Sequence, residues 1–343
     1  MPTQTWTAPP GLEGVVVTET ALSDVDGATG RLTYRGRPIE EVVQTFRFET
    51  LVPWLVTGTM RDLGGPAWRE LPDRPWPARP MAALAAVLLH LDDAWPDDVE
   101  SACRLVLGLP VMFGRAVSGG RRCDDPDAPV AARYLALVTG RTPTPTHVRA
   151  LDAYWVMAAE HSLNASTFAV RVAASTGARL PLALAAGVGV LSGPRHGGAP
   201  EGVLTLLEEI GRQPDDPEAV LRAKLDAGER LMGFGHRVYR AVDPRARALR
   251  AVFEQLAGED PWARLAARTE EAALRLLAER HPERPLATNV EFYAAAVLKA
   301  LGIPRALCPP TFALGRMAGW TAHWWEERRR GRLIRPLARY RPV

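Results

Sequence analysis

The chain has 343 residues, 47% hydrophobic and 24% charged, with a formal net charge of +3. That balance excludes a collagen-like, mucin-like or wholly disordered chain, and +3 is too mild to call for a nucleic-acid partner. Lys occurs only at Lys224 and Lys299 among 42 basic residues, so lysine chemistry has two candidates, neither in a glycine-rich phosphate loop. Residues 1–10 are polar and proline-rich and read as a loose end. Residues 11–37 read as short extended pieces: Val15-Val16-Val17, the turn signal Asp26-Gly27, then Arg31-Leu32-Thr33-Tyr34 before Gly36. After Pro38 apolar residues recur at three- and four-residue spacing. The pattern predicts helices over 38–46, 49–58, 79–92, 97–107, 128–139, 146–160, 164–176, 180–191, 200–211, 217–230, 245–257, 260–280, 290–301 and 309–330. Loops rich in Gly, Pro, Arg and Asp are expected at 61–79 and 118–128, and the expected fold class is mainly α.

Cys103, Cys123 and Cys308 are far apart and form no C-x-x-C pair. Neither a disulfide framework nor a cysteine zinc site is implied, and a reducing, cytoplasmic setting is expected. The first 20 residues hold no Lys or Arg and no continuous apolar run, so no signal peptide is expected. The longest apolar stretch, Leu180 to Leu191, is too short to span a membrane and reads as a buried helix. Trp320, Trp324 and Trp325 have helical spacing and read as packing residues, and Cys308 as a small buried side chain. Arg328-Arg329-Arg330 reads as a solvated helix end, and Lys224 and Lys299 as surface or ion-pair residues.

Four segments interrupt the helical pattern with Gly, Pro or small residues beside a histidine or carboxylate. They are Glu160 to Thr167, Ser192 to Ala199, Gly233 to Arg240 with Asp243-Pro244-Arg245, and Thr288 to Tyr293. Glycine flanks allow close approach of a substrate or of another backbone. A histidine in such a turn serves equally well as a structural hydrogen-bond donor. Taken together, the residue types suit a different task. Histidines can polarise carbonyls and trade protons near neutral pH. A carboxylate can remove a carbon-bound proton, and arginines can clamp carboxylates bidentately. One reading is carbon–carbon bond formation through an enol with acidic substrates.

At these segments the sequence resembles the citrate synthase family. The resemblance runs through Gly11-Leu12-Glu13-Gly14-Val15, Ser23-Asp24-Val25-Asp26-Gly27, His161 to Phe168, Gly193 to Ala199 and Gly233 to Tyr239. It continues through Asn289 to Tyr293, Arg316 to Trp320, His323-Trp324 and Ile334-Arg335-Pro336. Only about 60–150 matches poorly and is shorter than usual. The resemblance implies a nearly all-helical homodimer with short N-terminal β pieces. A large domain (1–199 with 306–343) would form the dimer, and a small domain (200–305) on the CoA side would close over the site.

The resemblance also implies roles. His196 would hydrogen-bond the thioester carbonyl of acetyl-CoA, His236 would polarise and protonate the oxaloacetate carbonyl, and Glu291 would remove the methyl proton. His161, Arg245 and Arg316 would bind oxaloacetate, Arg335 would reach into the other subunit's site, and Arg240 would contact CoA phosphate. No tightly bound cofactor or metal is implied, acetyl-CoA and CoA being substrate and product, and neither nucleic acid nor membrane is an expected partner. The implied activity is an acyltransferase that makes citrate, as in the tricarboxylic acid cycle. The alternatives are a 2-methylcitrate synthase using propionyl-CoA and a degenerate paralogue that binds or pairs without turnover. Three positions depart from the family pattern. Glu291 stands where the family has Asp, and its extra methylene displaces the carboxylate. Pro200 stands for Asn and suits a helix N1 position. Ser162 stands for Glu, so a buried charge partner is expected to be lost.

Overall fold

The computed structural model describes residues 7–61, 63, 71–72, 75–92, 95–123, 125, 127–194, 196, 199–213, 215–235, 242–283 and 286–340. Three short strands open it. β1 (Ser23–Asp26), β2 (Arg31–Tyr34) and β3 (Arg37–Pro38) form an antiparallel sheet in that order, with Val25 opposite Leu32. The Asp26 carboxylate accepts from the Ala28 and Thr29 N–H groups and closes the turn that Asp26-Gly27 signals. The expected extended piece Val15-Val16-Val17 is not a strand, and Val16 is 85% exposed. β-Branched residues favour strands only where a partner edge exists, and both edges of β2 are taken by β1 and β3.

Fourteen α-helices follow among the described residues, one for each predicted range. They are α1 (Ile39–Thr45), α2 (Phe48–Thr57), α3 (Pro80–Leu91), α4 (Val99–Val117), α5 (Val130–Thr139), α6 (Pro145–Ala158) and α7 (Ala165–Ser175). The second half has α8 (Leu180–Leu191), α9 (Ala199–Ile210), α10 (Pro217–Asp226), α11 (Pro244–Glu259), α12 (Pro261–Arg280), α13 (Val290–Ala300) and α14 (Cys308–Arg330). The starts are chemically marked. Asp98, Thr144, Asn164, Asp216, Asp243, Asp260 and Asn289 each accept from a first-turn N–H. α4 departs most from expectation, running to Val117 rather than stopping at 107. Pro110 lies inside it, but Leu105 to Gly114 are all buried. Burial on every side offsets the roughly 3 kcal/mol that an internal proline costs a helix. Pro200 is the second residue of α9 rather than its first.

α14 is the axis of the large core. It packs against α2, α4, α6, α7 and α8, and Trp320 and Trp324 are fully enclosed, as their spacing implies. Cys308 is buried as well. Two glycines let α6 come close: Gly315 faces Trp155, and the Gly319 N–H donates to Ala159 O at 3.1 Å. A smaller second core collects Leu206, Ile210, Leu221, Leu225, Leu265, Leu276 and Leu277 from α9, α10 and α12. Lys224 pairs with Glu209 at 2.7 Å and Lys299 with Glu208 at 3.0 Å. The arginine run at the end of α14 is tied down in part, Arg328 to Asp97 and Arg330 to Thr18 and the Glu19 carbonyl. No described helix is long and apolar enough to cross a membrane.

A Cβ at Gly319 would overlap Ala159 O and Glu160 Oε2. Gly319→Ala is therefore expected to destabilise the fold by about 1–3 kcal/mol, the usual cost of overpacking, read as a lowered thermal or urea midpoint. An unchanged midpoint would contradict this packing.

Candidate active site

The site is built from the starts of helices. Asn164 caps α7, its Oδ1 accepting from Thr167 N at 3.1 Å and from the Ser166 hydroxyl at 2.8 Å. This cap places Ser166 beside the turn that follows α8. There His196, whose N–H donates to Gly193 O at 3.0 Å, presents Nε2 to Ser166. Ser166 Oγ lies 2.8 Å from Nε2, and Ser166 N donates to it at 3.4 Å. Burial, reinforced by the Arg316 charge, holds the His196 imidazole below its ordinary pKa.

Asp243 caps α11 and does two further tasks. Its carboxylate accepts from Arg245 N at 3.0 Å, Arg245 Nε at 3.1 Å and Arg245 Nη2 at 3.0 Å. It also accepts from Val290 N at 3.3 Å. One buried carboxylate thus orients an arginine and fastens α11 to α13. Paired hydrogen bonds of this kind fix a guanidinium in direction as well as in position.

Asn289 caps α13, accepting from Glu291 N at 2.9 Å. Its Nδ2 donates to Gly235 O at 2.7 Å. Together with Gly235 N to Ala287 O and Asn289 N to Gly233 O, this joins the approach to residue 236 to the first turn of α13. Gly233 has a φ of +96° and lies so close to Phe292 and Val203 that a side chain would crowd both. Glu291 is half-buried in that first turn. Burial pushes its carboxyl above the ordinary pKa and the Asp243 charge adds to this, while Arg245 opposes it.

These elements surround a cavity of about 600 Å³. His161, His196, Arg245, Glu291 and Arg316 line it, so five predicted site residues from five separate segments share one cleft. Arg316, only 5% exposed, comes from α14 and stacks over Phe312 at 5.1 Å. His236 and Arg240 lie outside the described residues. Arg335 sits in the exposed segment after α14, away from the cavity. Two residues before Ser162 the fully buried Glu160 carboxylate is hydrogen-bonded by His323 and the Ser23 hydroxyl. The sequence reading did not single out Tyr154, Met157 and Phe312, which form apolar wall. Tyr154, Met157 and His161 are three and four residues apart, the one signal that could have grouped them.

The helical fold and its cleft are those of an enzyme of the citrate synthase type. A sequence model of the citrate synthase C-terminal domain matches residues 11–337, and the chain belongs to the citrate synthase family. The Mycobacterium tuberculosis protein named "Putative citrate synthase 2" is 43% identical, covering 96% of this chain and 92% of its own. Citrate synthase 2 of Bacillus subtilis is 36% identical, covering 97% and 96%. The citrate synthase of Thermoplasma acidophilum, solved as a ternary complex with carboxymethyl coenzyme A and oxaloacetate, superposes with a TM-score of 0.80 at 26% identity, covering 97% of this chain and 96% of its own.

Asn289→Ala removes the cap beneath Glu291. It is expected to cost about 0.5–2 kcal/mol of stability, read by denaturant melting. An unaltered midpoint would show that the cap bond carries no weight.

Proposed function

We propose that the chain condenses acetyl-CoA with oxaloacetate and water to give citrate and CoA. The convergence of Glu291, His196, Arg245 and Arg316 on one cleft carries this reading. Arg245 and Arg316 hold the oxaloacetate carboxylates, assisted by His161. Glu291 takes a proton from the acetyl methyl, and its raised pKa makes it a stronger base than an exposed glutamate. The thioester oxygen becomes an enol oxygen and needs a fixed donor. His196, fixed through Nε2 by Ser166, supplies that donor. The enol carbon then attacks the keto carbon, and His236 gives a proton to the new alkoxide. Hydrolysis of the thioester of citryl-CoA completes the cycle.

The second core within α9, α10 and α12 supports a small domain at 200–305 that closes on the large domain, 1–199 with 306–343. Arg240 on that small domain meets CoA phosphate. Closure would exclude water until the carbon–carbon bond has formed. Exposed apolar residues support a homodimer: Leu89 on α3, Leu182 and Val190 on α8, and Leu333, Leu337 and Tyr340 in the C-terminal segment. Arg335 in that segment would reach the partner subunit's site. The reaction belongs to the tricarboxylic acid cycle, needs no tightly bound cofactor and suits the cytoplasm.

Purified protein mixed with both substrates is expected to release thiol, and competition between acetyl- and propionyl-CoA reads the acyl preference. No thiol release from a folded dimer overturns the proposal. Glu291→Gln should lower kcat by about a hundredfold or more, the usual scale for a lost general base. The base must be ionised, and burial raises its pKa above 4.5. The acid limb of kcat/KM should therefore fall as pH drops through a value above 4.5. A limb below 4.5 would remove Glu291 from this role. Light scattering should report a dimer that Leu182→Asp weakens.

A further inference from the structure

Glu291 rises from the first turn of α13, so its carboxylate is only as well placed as that turn. The Asn289 cap holds the turn at its start, and Val290 N ties it to Asp243 at the start of α11. A third hold comes from α12, through a carboxylate that the proposed chemistry does not use. Glu270 Oε1 accepts from the Thr288 hydroxyl at 2.6 Å and from the Tyr293 hydroxyl at 2.6 Å. Thr288 lies before Glu291 in the chain and Tyr293 after it. One oxygen therefore grips the turn on both sides of the base.

Both distances are those of hydroxyls donating to an ionised carboxylate, a strong kind of hydrogen bond. The donors are themselves well held. Thr288 and Tyr293 are buried. The Tyr293 ring packs edge-on against Phe253 of α11, with centroids 5.4 Å apart. Burial, reinforced by the bond to Glu270, pushes the Tyr293 hydroxyl pKa up, so it remains a donor. Glu270 is half-buried and is not among the residues that line the cavity. The helix that carries it is anchored in the second core through Leu265, Leu276 and Leu277.

Helix geometry makes this grip act on the base. Residues two apart on an α-helix point about 200° apart. Glu291 faces the cavity, and Tyr293 faces away from it toward α12. A pull on one side of the turn thus fixes the direction of the other. Thr288 also forms a bridge with Phe234, and Asn289 Nδ2 donates to Gly235 O. The same carboxylate therefore ties the base to the segment that leads to residue 236.

We propose that Glu270 is a positioning residue for proton removal: through Thr288 and Tyr293 it sets where the Glu291 carboxylate meets the acyl methyl group. This rests on the reading of Glu291 as the base. Glu270 transfers no proton and touches neither substrate. It acts on the rate of enol formation rather than on binding of the keto acid, because Arg245 and Arg316 lie on α11 and α14 and neither bond of Glu270 reaches them.

The test is steady-state kinetics of Glu270→Leu and Glu270→Gln with ordinary and methyl-deuterated acetyl-CoA, below the melting midpoint of each variant. Glu270→Leu should lower kcat about ten- to hundredfold, the scale of a base displaced by up to about 1 Å, with both KM values within about threefold of wild type. Its deuterium isotope effect on kcat should be at least as large as wild type's, since proton removal is the step slowed. Glu270→Gln, whose carboxamide oxygen still accepts from both hydroxyls, should recover most of the rate. A lowered melting midpoint with unchanged kcat would show a purely structural clamp and overturn the proposal. So would a smaller isotope effect, an oxaloacetate KM raised in step with the loss of rate, or a Gln variant no better than Leu. Should Glu270→Leu not fold, Tyr293→Phe decides, because it keeps the ring packing and loses one of the two bonds: a lower kcat at unchanged KM supports the proposal, and an unchanged kcat overturns it. Wild-type protein that releases no thiol defeats the functional reading and the proposal with it, whereas an active wild type with any of the contrary results overturns the proposal alone.

Discussion

A cation inside a helical core is the constraint around which this molecule is organised. Arg316 lies on α14, the helix that α2, α4, α6, α7 and α8 pack against, and it is almost completely enclosed. Taking a guanidinium out of water is unfavourable unless an opposite charge accompanies it. The Glu160 carboxylate, just past the end of α6, opposes the lowering of the Arg316 pKa by burial. Its approach requires a glycine at 319, and its second contact requires a histidine one turn further along. Packing and electrostatics are therefore the same problem here. The helix that completes the core also delivers a positive charge to the cleft.

A second economy concerns capping. The polar residue that starts a helix has a side chain aimed at the first-turn N–H groups. In α7, α11 and α13 that residue also sets a functional side chain. Asn164 locates Ser166 and through it His196, Asp243 grips Arg245, and Asn289 supports Glu291 and the loop at Gly235. Helix starts are rigid and polar at once, which suits groups that must be held within a fraction of an ångström. The departure from Asp to Glu at 291 is to be weighed in this setting. The longer side chain rises from a firmly capped turn and stays half-buried rather than reaching solvent.

Much of this was legible in the sequence. Apolar spacing predicted every one of the described helices, because amphipathic periodicity is the direct imprint of one buried face. α4 was predicted too short, since local breaker rules see Pro110 but not the helices that enclose it. Val15 to Val17 carried strand propensity without a strand, because pairing is a long-range event. The site was legible as motifs. His161, His196, Arg245, Glu291 and Arg316 stood out beside Gly, Pro and small residues, and those five line the cavity. Glu160 and His323 appeared within motifs but without a role, and Arg171 did not stand out, since nothing local distinguishes a buried charged residue from a solvated one.

What the sequence alone determined is therefore the set of helices, their starts, and the family to which the chemistry belongs. Each is encoded within a few residues, through periodicity, caps and turn-forming glycines. Tertiary structure decided which charges face one another. Residues as remote as Arg171 and His323, or Ser166 and His196, meet only when helices pack. Burial then decides which of them are paired, which tautomer they adopt and how far their pKa values move. The arginine excess of the composition shows the difference. Most of those side chains remain at the surface or in ordinary ion pairs, and it was the fold that enclosed Arg171 and Arg316 and paired Arg171 with Glu326 and Glu327.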